Sequence, residues 1–303
     1  MTVSYLTRTD LGKEDGVKNL DTDVKKALLD ALYADGIYTH SGDPHETAVF
    51  QDDLDLGKVD PTTQILELDT NNAAIDTSAN PSLAAIIMDD AGGPHGDGNA
   101  HNLTVTGSDS IFVAMGDGAD TVTLNDSGND TVYGGGGHDF IDATNSTGHD
   151  SLVGAGGHDV LLGAGGYDTI YGGSGRDTLI GTGGNDTITG HQGDYLQETG
   201  HQGSQFWLYG SSDPHASSTL QGGAGDDTFH IETKFGNDTI YGGGGHDVVD
   251  IDQLSTKLLP VGGIQYDKHS GVTTLSFQDG QTLHLSGISE VHFTDSASLT
   301  LKP

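Results

Sequence analysis

Aspartate recurs at a nearly constant interval through the middle of this chain. Residues 154–189 read GAGGHDVLL GAGGYDTIY GGSGRDTLI GTGGNDTIT, with a glycine-rich turn, an aspartate at the sixth position and an apolar residue at the eighth position of each unit. A turn of six residues followed by three strand residues lets two such units form one coil. A repeat this short cannot bury a core alone, so the period predicts a stack of coils.

The apolar position of each unit predicts which side chains face inward. These side chains would form a thin core, and they are Val122, Val132, Ile141, Leu152, Leu161, Ile170, Leu179, Ile188, Phe229, Ile240 and Val249. One apolar side chain per unit does not offset the roughly 1–2 kcal/mol of backbone entropy that each residue loses on ordering. The stack therefore needs another source of stability.

The repeated aspartates supply that source if a cation joins them. Stacked coils would bring carboxylates of like-facing turns to about 5 Å, where two charges repel by roughly 3 kcal/mol at an effective dielectric of 20. Carboxylate and turn carbonyl oxygens are hard ligands that suit Ca²⁺, so several calcium ions between turns would reverse the repulsion. The predicted ligands are Asp120, Asp130, Asp139, Asp150, Asp159, Asp168, Asp177, Asp186, Asp227, Asp238 and Asp247.

Turns on one side of the stack recur in every second unit, which predicts which aspartates face each other. On one side these pairs are Asp120 with Asp139, Asp139 with Asp159, and Asp159 with Asp177; on the other they are Asp130 with Asp150, Asp150 with Asp168, and Asp168 with Asp186; Asp227 pairs with Asp247. Folding and calcium binding should then be one equilibrium.

The charge of the chain restricts the classes of molecule that can bind it. Lys and Arg number 11 against 45 Asp and Glu, for a formal charge of −34. Nucleic acid and anionic membranes would be repelled, whereas cations would be attracted. Cysteine is absent, so neither disulfides nor thiolates stabilise the fold. The apolar run LAAIIM at 83–88 is too short to cross a bilayer, so no membrane span is expected.

Three regions are expected along the chain. Residues 1–99 form a small α/β N-terminal cap or anchoring region, with an amphipathic helix at 22–36. Residues 100–252 form the repeat domain, with an insertion at 194–221 because Tyr195 stands where the aspartate belongs and the period is then lost. Residues 253–303 form a β cap, since Asp279-Gly280 between two alternating runs is a strong hairpin signal.

The units GGSGRDTLI and GGGGHDVVD resemble the RTX, or hemolysin-type, calcium-binding nonapeptide repeat G-G-x-G-x-D-x-U-x. The resemblance extends over residues 115–250. It implies a mainly-β protein with a parallel β-roll, the calcium-bound form of a β-solenoid. It also implies export by the type I secretion machinery through an uncleaved C-terminal signal, and hence an extracellular or cell-surface location.

We expect no catalysis. HETAV at 45–49 lacks the second histidine of a zinc-protease motif, and neither a G-x-S-x-G elbow nor a cysteine nucleophile occurs. The expected function is a structural or adhesive component of a bacterial surface layer or extracellular matrix, which folds and self-assembles with calcium. The alternatives are a polysaccharide-acting enzyme with its carboxylates in 1–99, and a secreted effector that binds a host or neighbouring cell surface.

Two further features leave alternatives open. The aromatic stretch QFWLYG at 205–210 would either contact a cell-surface glycan or partner, or form a hairpin that packs its aromatics on the roll. Histidines at the fifth turn position would either bind a transition metal or face solvent, and they are His138, His149, His158 and His246.

Overall fold

The computed structural model describes residues 2–7, 28, 47–52, 63–68, 72–88, 98–191, 193–209, 217–232, 236–251, 255–295 and 297–301. Nearly all regular structure in these ranges is strand, apart from short 3-10 helices at Thr77–Ala79 and Thr256–Leu258. The chain divides into two compact units, Met1–Gly156 and Gly157–Pro303. Parallel strands stack in both, so the expected β-roll is confirmed.

Strands of the first unit form two sheets, and the chain alternates between them from Ile65 onward. They are β1 (Thr2–Thr7), β2 (Thr47–Asp52), β3 (Ile65–Leu68), β4 (Asn72–Asp76), β5 (Ala85–Met88), β6 (Asn102–Thr106), β7 (Phe112–Ala114), β8 (Thr121–Asn125), β9 (Thr131–Gly137), β10 (Phe140–Asp142) and β11 (Ser151–Gly157). One sheet has the order β1-β2-β3-β5-β7-β9-β11, and the other has the order β4-β6-β8-β10. The β1–β2 pair is antiparallel, whereas the pairs from β2–β3 to β7–β9 are parallel.

Parallel stacking begins well before the repeats. Strand β3 pairs with β5 and β4 with β6, and all four strands precede residue 115, where the first copy of the repeat begins. All four residues of β5 are buried, as expected for a parallel strand covered on both faces, which reads as a continuous apolar run. The described strands of 1–99 therefore belong to the same two sheets as the repeats of this unit, and the role of 1–99 as an N-terminal cap or anchoring region stays a prediction.

The second unit repeats this alternation. Its strands are β12 (Val160–Leu162), β13 (Thr169–Gly175), β14 (Thr178–Gly181), β15 (Thr187–His191), β16 (Tyr195–Glu198), β17 (Gln205–Tyr209), β18 (Thr219–Gln221), β19 (Thr228–Ile231), β20 (Asn237–Tyr241), β21 (Val248–Ile251), β22 (Ile264–Asp267), β23 (Val272–Ser276), β24 (Thr282–Ser286), β25 (Glu290–Phe293) and β26 (Ser298–Thr300). One sheet has the order β13-β15-β17-β19-β21-β25-β26, and the other β12-β14-β16-β18-β20-β24-β23-β22.

The C-terminal strands cover the last coil. The predicted hairpin is confirmed, because β23 and β24 pair antiparallel around a turn in which Gly280 has a φ of 92°. Strand β24 also pairs in parallel with β20, and β25 with β21, so each sheet of the roll continues into the C-terminal segment. Strand β22 adds to β23 and β26 adds to β25, both antiparallel.

The predicted inward positions form the core. All eleven apolar residues named from the period are 0% exposed. In one sheet Ile170 pairs with Ile188, and Phe206 with Phe229. The two phenylalanine rings stack with centroids 4.7 Å apart and planes 15° from parallel.

The segment 194–221, which the sequence predicted to be an insertion, contributes strands to both sheets in its described residues. Strands β16, β17 and β18 come from this segment and pair in parallel with β14, β15 and β20, respectively. Their inward residues Leu196, Phe206 and Leu220 are 0% exposed and continue the core. The segment is therefore part of the roll, which needs an inward apolar residue but not a fixed period.

Several expectations concern residues outside the described ranges. Of the helix predicted at 22–36, only Leu28 is described; it is helical and buried. Of HETAV, only the strand residues from Thr47 onward are described. No helix within the described residues is long and apolar enough to span a membrane.

Candidate metal centre

The eleven predicted aspartates are all buried. None is more than 3% exposed, although each follows a surface turn. The strand begins at the residue after the aspartate in every case except Asp238, which is the second residue of its strand. The turn therefore directs the carboxylate under the glycines rather than into solvent. Burial of so many carboxylates is costly unless each is paired or bound to a metal.

One carboxylate oxygen of each aspartate joins successive coils. The backbone N–H of Asp159 donates to Oδ1 of Asp177 at 2.9 Å, and the N–H of Asp168 donates to Oδ1 of Asp186 at 2.9 Å. The same bond at 2.9 Å connects Asp120 with Asp139, Asp130 with Asp150, and Asp227 with Asp247. These five predicted pairs are confirmed. The pairs Asp139 with Asp159 and Asp150 with Asp168 stay predictions.

The second carboxylate oxygen lies over the first glycine of its own turn. A methyl group added to Gly163 would stand 2.7 Å from Oδ2 of Asp168, and one added to Gly222 would collide with Oδ2 of Asp227. The same relation holds for Gly134 with Asp139, Gly172 with Asp177, Gly181 with Asp186, and Gly242 with Asp247. The first glycine of the repeat is therefore required by the carboxylate that it accommodates.

A backbone carbonyl of the following coil converges on the same place. The methyl position at Gly222 is also 2.6 Å from the carbonyl oxygen of Gly242, and that at Gly242 is 2.7 Å from the carbonyl oxygen of Gly287. Among the described residues, no hydrogen-bond donor reaches the buried Oδ2 of Asp177, Asp227 or Asp247. An oxygen-lined space with unsatisfied acceptors fits a hard cation such as Ca²⁺.

The turns stack too closely for side chains. Gly184 has a φ of 113°, and a methyl group there would overlap the carbonyl oxygen of Gly166 in the preceding coil. Gly243, with a φ of 103°, would meet the carbonyl oxygen of Gly223 in the same way. This close approach keeps the carbonyls of successive turns within reach of one ion.

Electrostatics show the cost of these carboxylates without a cation. Burial raises the pKa of Asp130 to about 9, with the nearby Asp126 carboxyl adding to the effect. Burial raises the pKa of Asp186 to about 8, with Glu198 contributing. The pKa of Asp227 rises to about 7, again chiefly because of burial. The charged forms that calcium needs are thus unfavourable in the folded chain until a cation compensates them.

The structure corrects one assignment in the irregular segment. Asp194, and not Tyr195, takes the aspartate position: its Oδ1 accepts the N–H of Asp177 at 2.9 Å, and its Oδ2 accepts the N–H of His191 at 2.6 Å. One residue is missing from this turn relative to its neighbours, so counting nine residues pointed to the wrong side chain. Serines hold the next two positions, since Ser204 Oγ accepts the N–H of Asp186 and Ser218 Oγ that of Gly193.

Histidines and aromatics lie outside these turn interiors. The four histidines at the fifth turn position are exposed, as the solvent-facing alternative predicted: His138, His149, His158 and His246. No group of three or more His, Asp or Glu side chains placed to hold a metal occurs in the described part of the chain. Carbonyl oxygens would therefore have to complete any calcium site.

Trp207 belongs to a strand of the roll and not to a hairpin. Its ring stacks on that of His230 in the adjacent strand, with centroids 3.9 Å apart and planes 13° from parallel. The aromatic side chain thus packs on the roll's own sheet. Binding of a glycan at this strand stays a prediction.

Comparison with known families agrees with the geometry. The family model of the RTX calcium-binding nonapeptide repeat, in four copies, matches residues 116–145, 146–170, 171–194, 217–230 and 230–252. A search of curated proteins gave no significant match. Repeats of this family bind several calcium ions along their length. With its glycine turns and buried aspartates, this chain contains a β-roll built from calcium-binding RTX nonapeptide repeats.

Proposed function

We propose that the chain is a secreted, non-catalytic structural or adhesive component of a bacterial surface layer or extracellular matrix, whose roll folds when it binds calcium. The observation that supports calcium-driven folding most directly is the buried Oδ2 of Asp227, which lacks a donor and converges with the Gly242 carbonyl. The proposed ligands are the eleven predicted aspartates, together with Asp194.

The mechanism follows from the charges. Without calcium, each coil that forms brings further carboxylates into a buried row, and their repulsion opposes folding. Calcium binds only where two coils have come together, so it stabilises the folded state by mass action. The chain would remain unfolded at the low calcium level inside a cell and would fold at the millimolar level outside.

Export and location rest on the family. RTX repeats suggest an extracellular, secreted protein, and we propose the type I secretion machinery as the export partner. Residues 253–303 would carry the export signal and, once folded, cap the roll that 100–252 form. A charge of −34 supports a location where calcium is plentiful.

Strand β22 supports assembly with further copies of the chain. It is an edge strand of its sheet among the described strands, and all four of its residues are exposed. Ile264 and Tyr266 are 45% and 46% exposed, and Val261 just before them is fully exposed. An uncovered edge strand with apolar side chains offers backbone groups and apolar surface for pairing.

Light scattering combined with circular dichroism tests this proposal. The purified chain is measured with chelator and then with millimolar calcium. We expect unordered chain to become β structure and then large assemblies as calcium rises. An unchanged spectrum would refute calcium-driven folding, whereas folding to a monomer would refute assembly and favour the effector or enzyme alternatives.

A cell-surface glycan is the second proposed partner. Trp207 and Tyr171 point outward, because Phe206 and Ile170 beside them point into the core. His191 contacts both Tyr171 and Tyr209, with ring centroids 5.8 and 5.7 Å apart, so this face of the sheet is rich in aromatic rings. Tyr171→Ala should reduce binding to immobilised polysaccharide without changing the calcium-bound spectrum; unchanged binding would refute this surface.

A further inference from the structure

The described residues 195–209, between the matched repeats, include no aspartate but contain a buried carboxylate. The family match stops at residue 194 and resumes at 217, and Ser204 holds the aspartate position between them. Glu198, the last residue of β16, is nevertheless only 1% exposed. A buried glutamate in a chain with just six glutamates requires a partner.

Glu198 stands where an ordinary repeat has its first glycine. It pairs in register with Gly181, the first glycine of the preceding turn on the same side. A methyl group on Gly181 would collide with both Oδ2 of Asp186 and Oε2 of Glu198, so these two oxygens converge on one point. Asp186 is 1% exposed, and no donor from the described residues reaches its Oδ2.

Ser204 and Glu198 together replace one aspartate. Ser204 Oγ accepts the N–H of Asp186 at 3.0 Å, and the N–H of Ser204 donates to Oδ1 of Asp227 at 2.7 Å. The serine thus makes the bonds between coils that an aspartate makes through Oδ1 and its backbone. It offers no carboxylate, but its hydroxyl donates to Oε2 of Glu198 at 3.4 Å.

Glu198 is held in place from its own turn. Its Oε1 accepts the N–H of Gly200, and its Oε2 faces Ser204 and Asp186. Each carboxylate oxygen has a second lone pair that these bonds leave available. Ser204 connects this carboxylate to the next coil, because its hydroxyl donates to Oε2 of Glu198 while its N–H donates to Oδ1 of Asp227.

We propose that Glu198 is a calcium ligand, which joins Asp186 in an atypical site and replaces the carboxylate missing at Ser204. The carboxylate has moved from the sixth position of the turn to the first, where a glycine normally makes room for it. This inference rests on the proposed calcium-driven folding. It extends the row of calcium sites through a coil that the repeat pattern does not match.

Glu198→Gln tests the ligand, since it keeps the size of the side chain and one oxygen to accept the N–H of Gly200 but removes the charge. Glu290→Gln is the matched control, because Glu290 is half-buried on the outer sheet face beside His292. Bound calcium is counted by elemental analysis after gel filtration, and the folding midpoint is measured by circular dichroism. We expect Glu198→Gln to lose one calcium ion and to fold at severalfold higher calcium, with Glu290→Gln unchanged.

The double variant Glu198→Gly, Ser204→Asp keeps the test decisive if Glu198→Gln does not fold. It restores the ordinary glycine and aspartate positions, so we expect it to fold with the full number of ions. Equal ion counts in wild type and Glu198→Gln would overturn the role of Glu198. A double variant that binds one ion more than the wild type would also overturn it, because the wild-type coil would then lack the site. A wild-type chain that does not respond to calcium would instead refute the proposed function itself.

Discussion

Two neighbouring stretches of the second unit form the same coils from different sequences. Residues 157–191 repeat every nine residues, with a glycine and an aspartate in each turn. Residues 193–221 lose the period, have serine at two aspartate positions and move one carboxylate to Glu198. Both stretches nevertheless supply an inward apolar residue and a buried acceptor for the N–H of the preceding coil. The period is therefore sufficient for the roll but not necessary.

The two stretches differ in what stabilises them. The regular coils bury one aliphatic side chain per unit and rely on carboxylates, whereas the irregular coils bury Phe206 against Phe229 and pack Trp207 on His230. Aromatic residues bury more apolar area than aliphatic ones and add favourable ring contacts. The irregular coils should consequently depend less on calcium than the regular ones.

Calcium removal should have the largest effect on stability, and this effect should differ between the two stretches. With chelator, we expect peptides from 157–191 to lose hydrogen-exchange protection almost completely, because carboxylate repulsion is no longer compensated. Peptides from 195–209 should keep more protection. Exchange measured by mass spectrometry with and without calcium checks this, and equal loss in both stretches would contradict the comparison.

Phe206→Ala should remove the aromatic packing that makes the irregular stretch less dependent on calcium. Truncation of a buried phenylalanine costs about 3–5 kcal/mol of unfolding free energy. Ile188→Val, a change at the residue paired with Phe206, is the control and should cost about 0.5–1.5 kcal/mol. Denaturant unfolding at saturating calcium measures both, and similar costs would mean that Phe206 adds little to the core.

Gly184→Ala should damage the regular stretch through the backbone. The new methyl group would overlap the carbonyl of Gly166, and a φ of 113° disfavours alanine, so we expect a loss of about 2 kcal/mol or more. Gly165→Ala is the matched control, since its methyl group would meet nothing within 4 Å. Thermal unfolding with calcium compares the two, and equal stability would refute the close stacking of turns.

pH should have the smallest effect, and its direction should depend on whether calcium is present. Burial raises the pKa of Asp186 to about 8 and that of Asp194 to about 7, from 3.8. The folded state therefore binds more protons than the unfolded state between pH 3.8 and about 8, so stability is lost as the pH rises through that window. Circular dichroism in chelator should show more β structure at pH 5 than at pH 8.

With calcium present the dependence should reverse, because protons compete with calcium for the same oxygens. A low pH should then raise the calcium concentration needed for folding. A calcium-free chain that gains structure as the pH rises would contradict the burial of these carboxylates.

The sequence predicted the parts of this fold that the repeated residue types determine. The inward residues and five aspartate pairs follow from the nine-residue period. A regular period determines on which side of the stack each turn lies and whether each strand residue points inward or outward. The period could not predict Asp194, where one residue is missing, or Glu198, where the carboxylate occupies another turn position. It also did not predict that strands before the repeats, such as Ile65–Leu68, join the parallel sheets.

Three short apolar segments could have revealed the irregular coils. YLQE, QFWLY and TLQ each place an apolar residue between polar ones, with Leu196, Phe206 and Leu220 inward. Their spacing varies, however, and spacing was the criterion that identified the repeats. A stack of parallel strands tolerates turns of different length provided that the inward residues still meet.

The alternation of strands between two sheets also restricts how such a chain can change in length. Strand β24 continues the sheet of β20, and β25 continues the sheet of β21, so the C-terminal cap distinguishes one sheet from the other. Deletion of two nonapeptides removes one full coil, so β24 and β25 still pair with the same sheets. Deletion of a single nonapeptide moves the last strand of each sheet into the other sheet. Strands β24 and β25 would then each meet the sheet with which the other normally pairs. Evolutionary growth or shortening of this roll should therefore proceed by even numbers of repeats.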